Sequence, residues 1–379
     1  MRITIILGPF LPVPTVLGGA VEKVHLLLAG AYRAAGHDVT IISRRYEDFQ
    51  HEEIVEGVRH LRVPSADRSS SLAVNLVRDL RYALRAARAL PPSDITITNS
   101  FWLPLVLPRE RAGKICVQVG RYPKGQMALY HRADRLQAVS SVVAQAIARQ
   151  TPWLAHKVAV IGYAVPDAYF GREAAPRRER TILFVGRIAR EKGIELLLRA
   201  FINLASNREA NVSDWKLQIV GPHEISQGGD GPSYLDELKS LALPLGAQCA
   251  FFGPVFNQEA LIRHYQGSAI FVYPSLAETG EALPLAPLEA MAAGCATIVS
   301  DLRCFDDYIE HGATGLRFDH RTQNAETNLA AQLMYLMTKE VALVKIAQAG
   351  HRAARKFQVT EIASRMLSDF SSLQANRPQ

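Results

Sequence analysis

Short apolar runs alternate along the chain with stretches whose apolar positions recur every three or four residues. The runs read as buried strands and the recurrences as amphipathic helices. In the first half the predicted strands are Arg2–Leu7, Asp38–Ser43, Asp94–Thr98, Lys114–Val119, Leu136–Val139 and Val158–Ile161, with helices near Val21–Ala35, Leu72–Leu90 and Val142–Gln150. A polar segment, Asp167–Arg180, reads as a linker. A second series follows, with strands at Thr181–Val185, Lys216–Val220, Ala250–Phe252, Ile270–Tyr273, Ala296–Val299 and Gly315–Phe318. Its helices are near Ile194–Ala205, Tyr234–Leu241, Gln258–Tyr265, Leu288–Ala293 and Ala325–Leu336, and the tail Val341–Leu373 reads as helical to its end. Strand and helix in alternation predict parallel α/β sheets. Two such sheets imply two domains facing a central cleft, with ligands at the carboxyl ends of the strands. The expected division is residues 1–170, residues 171–357 and a closing segment 358–379 that crosses back to the first domain.

Size and charge sharpen this picture. A chain of 379 residues is too long for one typical core. No run of 18 apolar residues predicts a membrane-spanning helix, and Met1–Gly8 reads as a strand rather than a signal peptide. Cys116, Cys249, Cys295 and Cys304 are scattered, without metal or redox spacing, and suggest a reducing, cytoplasmic setting. The net charge of +7 is unevenly placed: residues 1–170 carry 21 Lys and Arg against 13 Asp and Glu. That excess predicts an anionic partner for the first half, without the aromatic interleaving or motif of a nucleic-acid binder.

The chemistry concentrates in the stretch Tyr273–Gly294, read as strand, polar loop and helix. Pro274, Ser275 and Gly280 break the strand, good helix formers run from about Pro287, and Gly294 stops them. Glu281 and Glu289 bracket the junction. A helix start offers unpaired backbone N–H groups to an anion, and carboxylates accept from hydroxyls, so the pair suits a phosphorylated sugar. Ordinary first-turn capping is the plain alternative for each glutamate.

Other stretches point the same way. Gly18 and Gly19 open the first helix, where their bare backbone can approach a phosphate; a tight turn explains them equally well. Their spacing is not that of a dinucleotide fingerprint. Phe184–Gly193 ends a strand and begins a helix, and places Arg187 and Lys192 near a helix start that disfavours cations. A nearby anion resolves the conflict, and Arg190 is expected to be solvated. Arg78, Arg81, Arg85 and Arg88 line one stripe of the Leu72–Leu90 helix, beside an apolar stripe of Val77, Leu80, Leu84 and Ala87 expected to face the core. The basic stripe is either a solvated face or a contact for an anionic membrane surface or acceptor.

Gly18-Gly19, Gly36-His37-Asp38-Val39, Ala133-Asp134 through Val139-Ser140, Gly186-Arg187 with Lys192-Gly193, Val220-Gly221-Pro222, Phe252-Gly253, Tyr273-Pro274-Ser275 and Glu281-x7-Glu289 occur in the order and spacing of retaining glycosyltransferases of the GT-B fold, family 4. The resemblance covers nearly the whole chain. It implies two Rossmann-like domains, no metal, no resident cofactor, and a UDP- or GDP-linked sugar as donor. By resemblance, Arg187 and Lys192 match the pair that holds the donor diphosphate, Glu289 the carboxylate on the ribose, and Glu281 the one facing the donor sugar. Catalysis falls to Glu281, Arg187 and Lys192. Gly221 and the backbone of Leu283, Pro284 and Leu285 join the donor site, and Gly18 and Gly19 close on the diphosphate. The chain departs from the family at two points: Ala282-Leu283-Pro284 replaces the usual Phe-Gly, and Arg121 follows a strand where many members carry a histidine. Pro284 lacks an N–H, and Arg121 is a candidate sugar or acceptor contact.

The reading is therefore a metal-independent hexosyltransferase for bacterial surface polysaccharide, lipopolysaccharide or glycolipid assembly, cytoplasmic and peripheral on the membrane's inner face. Its acceptor is a saccharide or lipid-linked hydroxyl, and nucleic acid is not a partner. A nucleotide-sugar 2-epimerase of the same architecture, and a non-catalytic sugar-nucleotide-binding subunit, are the alternatives.

Overall fold

The computed structural model describes residues 1–171, 179–207 and 212–375. They divide into two α/β units, Met1–Ala164 with Phe357–Gln379, and Val165–Lys356. The first break thus falls at residue 164 rather than 170. Of the expected linker, Asp167–Phe170 forms a 3₁₀ turn and Glu179 already opens a strand, while residues 172–178 lie outside the described residues.

The first unit runs β1 (Arg2–Ile6), α1 (Ala20–Ala34), β2 (Asp38–Arg44), β3 (Glu52–Val55), β4 (Val58–Val63), α2 (Leu72–Ala89), β5 (Ile95–Thr98), α3 (Leu103–Val106), α4 (Arg109–Ala112), β6 (Lys114–Val119), β7 (Arg135–Ala138), α5 (Ser141–Gln150) and β8 (Val158–Val160). Its eight-stranded sheet has the order β3-β4-β2-β1-β5-β6-β7-β8, and only β3 is antiparallel to its neighbour. Central strands such as β1 and β5 are buried on both faces, which is why they read as continuous apolar runs rather than alternating ones.

The β3–β4 hairpin was not expected. Glu52, Glu53, Arg59 and Arg62 mask its alternation, because the charges pair with each other: Arg59 with Glu52 at 2.7 Å and the fully buried Arg62 with Glu53 at 2.5 Å. Glu56 and Gly57, with φ of 51° and 78°, make its two-residue turn.

The second unit continues with β9 (Glu179–Val185), α6 (Ile194–Ser206), β10 (Lys216–Val220), α7 (Gly231–Leu241), β11 (Cys249–Gly253), α8 (Gln258–Gly267), β12 (Ser268–Tyr273), α9 (Leu285–Ala292), β13 (Ala296–Ser300), β14 (Leu316–Phe318), α10 (Ala325–Thr338) and α11 (Glu340–Ala354). Its six strands are all parallel, in the order β11-β10-β9-β12-β13-β14. Strand order reverses between β9 and β12, and in such sheets ligands bind at the carboxyl ends beside the reversal. The corresponding reversal in the first unit lies between β1 and β5.

The tail is two helices rather than one. α11 ends at Ala354, a 3₁₀ turn covers Arg355–Phe357, and α12 (Val359–Ala375) follows. The two helices bury against different units. His351 of α11 bonds the Ala292 carbonyl at 2.8 Å, while α12 lies on α1, with Phe370 edge-on to Tyr32 and Asp369 paired to Arg135 at 2.7 Å.

α2 also departs from expectation. Its buried residues are Asp79, Tyr82, Ala83, Ala86 and Ala87, whereas Val77 and Leu84 are 51% and 42% exposed. Of the apolar stripe expected to face the core, only Ala87 is fully buried.

Candidate functional site

The carboxyl ends of β10, β9 and β12 bring Gly221, the Arg187–Lys192 loop and Glu281 together. Glycines allow the close approach. Gly221 has φ of 151°, and a Cβ there would lie 1.7 Å from the Gly186 carbonyl oxygen. Gly193 has φ of 66°, and a Cβ would lie 2.0 Å from the Pro274 carbonyl oxygen. The backbone after β9 can therefore lie directly on the backbone after β12, where the Leu276 N–H donates to the Glu191 carbonyl at 2.8 Å.

This contact fixes Lys192 against Glu281. Lys192 Nζ donates to Glu281 Oε1 at 2.6 Å, and the same oxygen accepts from Ser275 Oγ at 2.8 Å and Tyr273 Oη at 3.0 Å. Burial, then the Glu281 charge, pushes the Tyr273 hydroxyl well above the ordinary phenol range, so it remains a donor. All three bonds end on one oxygen and leave Oε2 of Glu281 for a further donor.

Arg187 is exposed and donates to Glu191 Oε1 at 2.7 Å and to the Gly228 carbonyl. Glu191 Oε1 also lies 3.5 Å from Lys192 Nζ. Arg187, Glu191, Lys192 and Glu281 thus alternate in sign. Two anions lie beside these cations within the chain itself, since Glu191 and Glu281 supply counter-charge. Glu191 is exposed and can give way to a phosphate; Glu281 is buried and braced by hydroxyls. Arg190 is exposed to solvent as expected, and there it pairs with Glu237 at 2.6 Å and lies 4.4 Å over the Tyr234 ring.

α9 starts at Leu285, two residues earlier than expected, with Pro287 in its first turn, where a missing N–H costs nothing. Pro284 and Pro287 both lack N–H groups, so Leu283, Leu285 and Ala286 are the donors at this helix start. Leu283 and Pro284 are buried, and the Pro284 carbonyl accepts from Tyr308 at 3.4 Å. Glu289, the fifth residue of α9, is 8% exposed, and its Oε2 accepts from Tyr265 Oη at 3.1 Å. Burial and the Glu289 carboxylate hold the Tyr265 and Tyr169 hydroxyls well above their usual range, so both stay protonated beside it.

Gly18, Gly19 and Arg121 belong to the first unit. Gly18 and Gly19 have φ of 78° and 115°, and nothing lies within 4 Å of the Gly18 Cβ position. The Glu22 carboxylate folds back onto Gly19, where burial raises its pKa and nearby Arg121 lowers it. Arg121 follows β6 and is exposed. In the same unit His25, buried and pushed down to about 4, pairs with Gln118 at 2.8 Å.

Sequence reasoning missed the bracing groups. Tyr273 and Ser275 were visible as a Tyr-Pro-Ser motif without a role, and Gly193 as the partner of Lys192. Tyr169 and Tyr265 lie 120 and 24 positions before Glu289 and left no local signal.

Among the described residues no group of three or more His, Cys, Asp or Glu is placed to hold a metal ion, and no helix is long and apolar enough to cross a membrane.

Comparison with known proteins adds the family. Residues 166–356 match the model of the glycosyl transferases group 1, and residues 19–119 that of a glycosyl transferase 4-like domain. Lipopolysaccharide 1,2-N-acetylglucosaminetransferase of Salmonella typhimurium is 32% identical over 134 residues, 35% of this chain and 33% of that protein. D-inositol 3-phosphate glycosyltransferase of Streptomyces avermitilis is 31% identical over 202 residues, 50% of this chain and 42% of that protein. The chain therefore spans less than half the length of these relatives. Among solved structures, sucrose-phosphate synthase of Thermosynechococcus elongatus superposes with a TM-score of 0.78 at 20% identity, over 99% of this chain and 100% of that one. Anabaena HepE in complex with UDP and glucose gives 0.73 at 14% identity, over 98% and 100%. These likenesses establish the fold, two parallel-sheet α/β domains of GT-B architecture.

Proposed function

From the premise that the chain belongs to the glycosyl transferases group 1 family, we propose that it moves a hexose-type sugar from a UDP- or GDP-linked donor to a hydroxyl acceptor, with retention of configuration. The observation that carries the reading is the braced Glu281 beside Lys192 at the strand-order reversal of the second unit. A carboxylate fixed through one oxygen presents the other to sugar hydroxyls at a set angle. Arg187 and the remaining N–H donors of Lys192 meet the diphosphate, joined by the helix-start N–H groups of Leu283 and Leu285. These groups stabilise the charge that develops as the nucleoside diphosphate departs, without a metal ligand set. Glu289, steadied by Tyr265, takes the ribose hydroxyls. Gly18 and Gly19 add backbone donors, and Arg121 contacts the sugar or the acceptor.

The relatives support the setting. One is named for lipopolysaccharide and others for inositol glycosides, which favours a saccharide or lipid-linked acceptor in surface-glycan assembly. The Anabaena structure holds UDP, which favours a nucleotide-sugar donor. We place the activity in the cytoplasm.

The test is a transfer assay with UDP- and GDP-hexoses and saccharide acceptors, with product anomers assigned by NMR. The reading predicts a product of the donor's own anomeric configuration and a loss of about 10²–10³-fold in kcat for Arg187→Ala. Conversion of the donor sugar at C2 without any acceptor identifies an epimerase instead. Nucleotide binding with no turnover identifies a non-catalytic subunit.

A further inference from the structure

The three bonds on Glu281 Oε1 hold that oxygen in place. They do not by themselves set the direction of Oε2, which swings about the held atom with the backbone that carries it. Downstream that backbone is fixed: Ala282, Leu283 and Pro284 are buried, and the Pro284 carbonyl accepts from Tyr308. Upstream it is a turn over residues 276–280, where Leu276, Glu278, Thr279 and Gly280 are exposed. The Gly280 N–H closes the turn on the Ala277 carbonyl at 3.3 Å. A turn with so few buried groups opens readily unless something outside it ties it down.

One side chain does so. Among the described residues, Glu278 is the only member of the turn whose side chain bonds outside it. Glu278 Oε1 lies 2.7 Å from Arg321 Nε and 3.0 Å from His320 Nε2, and Oε2 accepts from Arg321 Nη2 at 3.0 Å. The same Nη2 donates to the Asp301 carbonyl at 2.8 Å. Glu278 follows β12, Asp301 follows β13 and Arg321 follows β14, and these three strands lie side by side in the sheet. One guanidinium therefore laces together the carboxyl ends of three neighbouring strands. The His320 side chain is only 4% exposed, so the second donor to Glu278 is a buried one. The bond from Arg321 holds the Glu278 carboxyl below the usual carboxylate range, so it is ionised at neutral pH.

An ordinary exposed ion pair contributes little and can be lost without consequence. This one differs in geometry. A two-pronged contact fixes orientation as well as distance, and it acts three residues from Glu281. We propose that Arg321, through Glu278, is a positioning residue for Glu281: it sets the path of the turn and so the place where Oε2 meets the donor sugar. This role rests on the reading of Glu281 as the carboxylate that faces that sugar. It assigns Arg321 and Glu278 an effect on sugar placement and none on nucleotide affinity.

The experiment compares the full chain as wild type, Arg321→Ala, Glu278→Ala and the double variant. Hydrogen exchange over residues 276–283, without ligand, should run about fivefold faster in each single variant, the scale of losing one well-formed exposed pair. Melting temperatures should fall by less than about 4 °C. Affinity for UDP and GDP should not change. The kcat for transfer should fall by about tenfold to a hundredfold in each single variant, as for a reacting group displaced by about 1 Å, with no further loss in the double variant. Unchanged exchange over residues 276–283 in Arg321→Ala overturns the proposal. A lowered melting temperature with wild-type kcat overturns it too, because the pair is then structural only. So does an Arg321→Ala loss that persists in full in the Glu278→Ala background, which makes Arg321 a direct substrate contact. A wild type that transfers no sugar from any donor sinks the reading of Glu281 and the sugar-placing role with it, while the exchange measurement still decides whether Arg321 holds the turn.

Discussion

Lys192 Nζ lies 2.6 Å from Glu281 Oε1, and both side chains are more than nine-tenths buried. Eighty-nine positions separate them, and two glycine-permitted backbone contacts bring them together. Neither residue alone explains the site. Lys192 without Glu281 is a buried cation, and Glu281 without Lys192 is a buried carboxylate held only by hydroxyls.

That dependence predicts strong coupling. Lys192→Met and Glu281→Gln should each destabilise the fold by about 3 kcal/mol, because each strands a buried charge. The double variant should cost much less than the sum of the two. Equilibrium urea unfolding of the four proteins measures the cycle, and simple additivity contradicts the pairing.

Two glycines with similar φ should respond differently to alanine. At Gly193 the new Cβ meets the Pro274 carbonyl oxygen at 2.0 Å, whereas at Gly18 it meets nothing within 4 Å. Gly18→Ala should cost only the backbone strain, about 1 kcal/mol. Gly193→Ala must also push the Lys192 turn off the Pro274 strand end, so its melting temperature should fall further and nucleotide binding should weaken. Equal melting temperatures for the two variants would refute this.

Tyr265→Phe removes the hydroxyl that donates to Glu289 at 3.1 Å. A buried carboxylate that loses a donor costs about 1.5–3 kcal/mol. If Glu289 serves the ribose, the variant should also raise the donor KM more than it lowers kcat. Steady-state kinetics and thermal melts read both effects.

His25 sets a pH limit on the fold. Burial lowers its folded pKa to about 4, against an ordinary value of 6.5. The neutral form is favoured in the folded state, so its stabilising effect is complete above pH 6.5 and is lost as pH falls towards 4. Between pH 7 and 4.5 this group alone should remove about 2–3 kcal/mol. Urea unfolding at both pH values checks it, and His25→Gln should flatten that part of the difference.

Much of the architecture was legible because parallel sheets buried on both faces produce plain apolar runs. The β3–β4 hairpin was not, since its paired charges hide the alternation. The Val341–Leu373 segment keeps one helical pattern through the break at Arg355–Phe357, which no residue type in the sequence marks. At the site, Arg187, Lys192, Glu281 and Glu289 were readable from local motifs. Their bracing by Tyr273, Ser275, Tyr265 and Tyr169 was not, because a hydroxyl's role depends on what the fold sets beside it. α2 misled for a related reason: its core face is formed by Tyr82 with the small residues Ala83, Ala86 and Ala87 and the buried Asp79, while Val77 and Leu84 are left outside.

The most direct test is a calorimetric titration of UDP, GDP and ADP into wild type and Arg187→Ala, an exposed substitution that leaves the buried Lys192–Glu281 pair intact. The account predicts that one of UDP or GDP binds wild type and that the variant binds it at least about tenfold more weakly, the loss of one charge-assisted bond of roughly 1.5 kcal/mol or more. If no nucleotide binds wild type at millimolar concentration, or if the variant binds as tightly as wild type, the assignment of the diphosphate to this site is wrong.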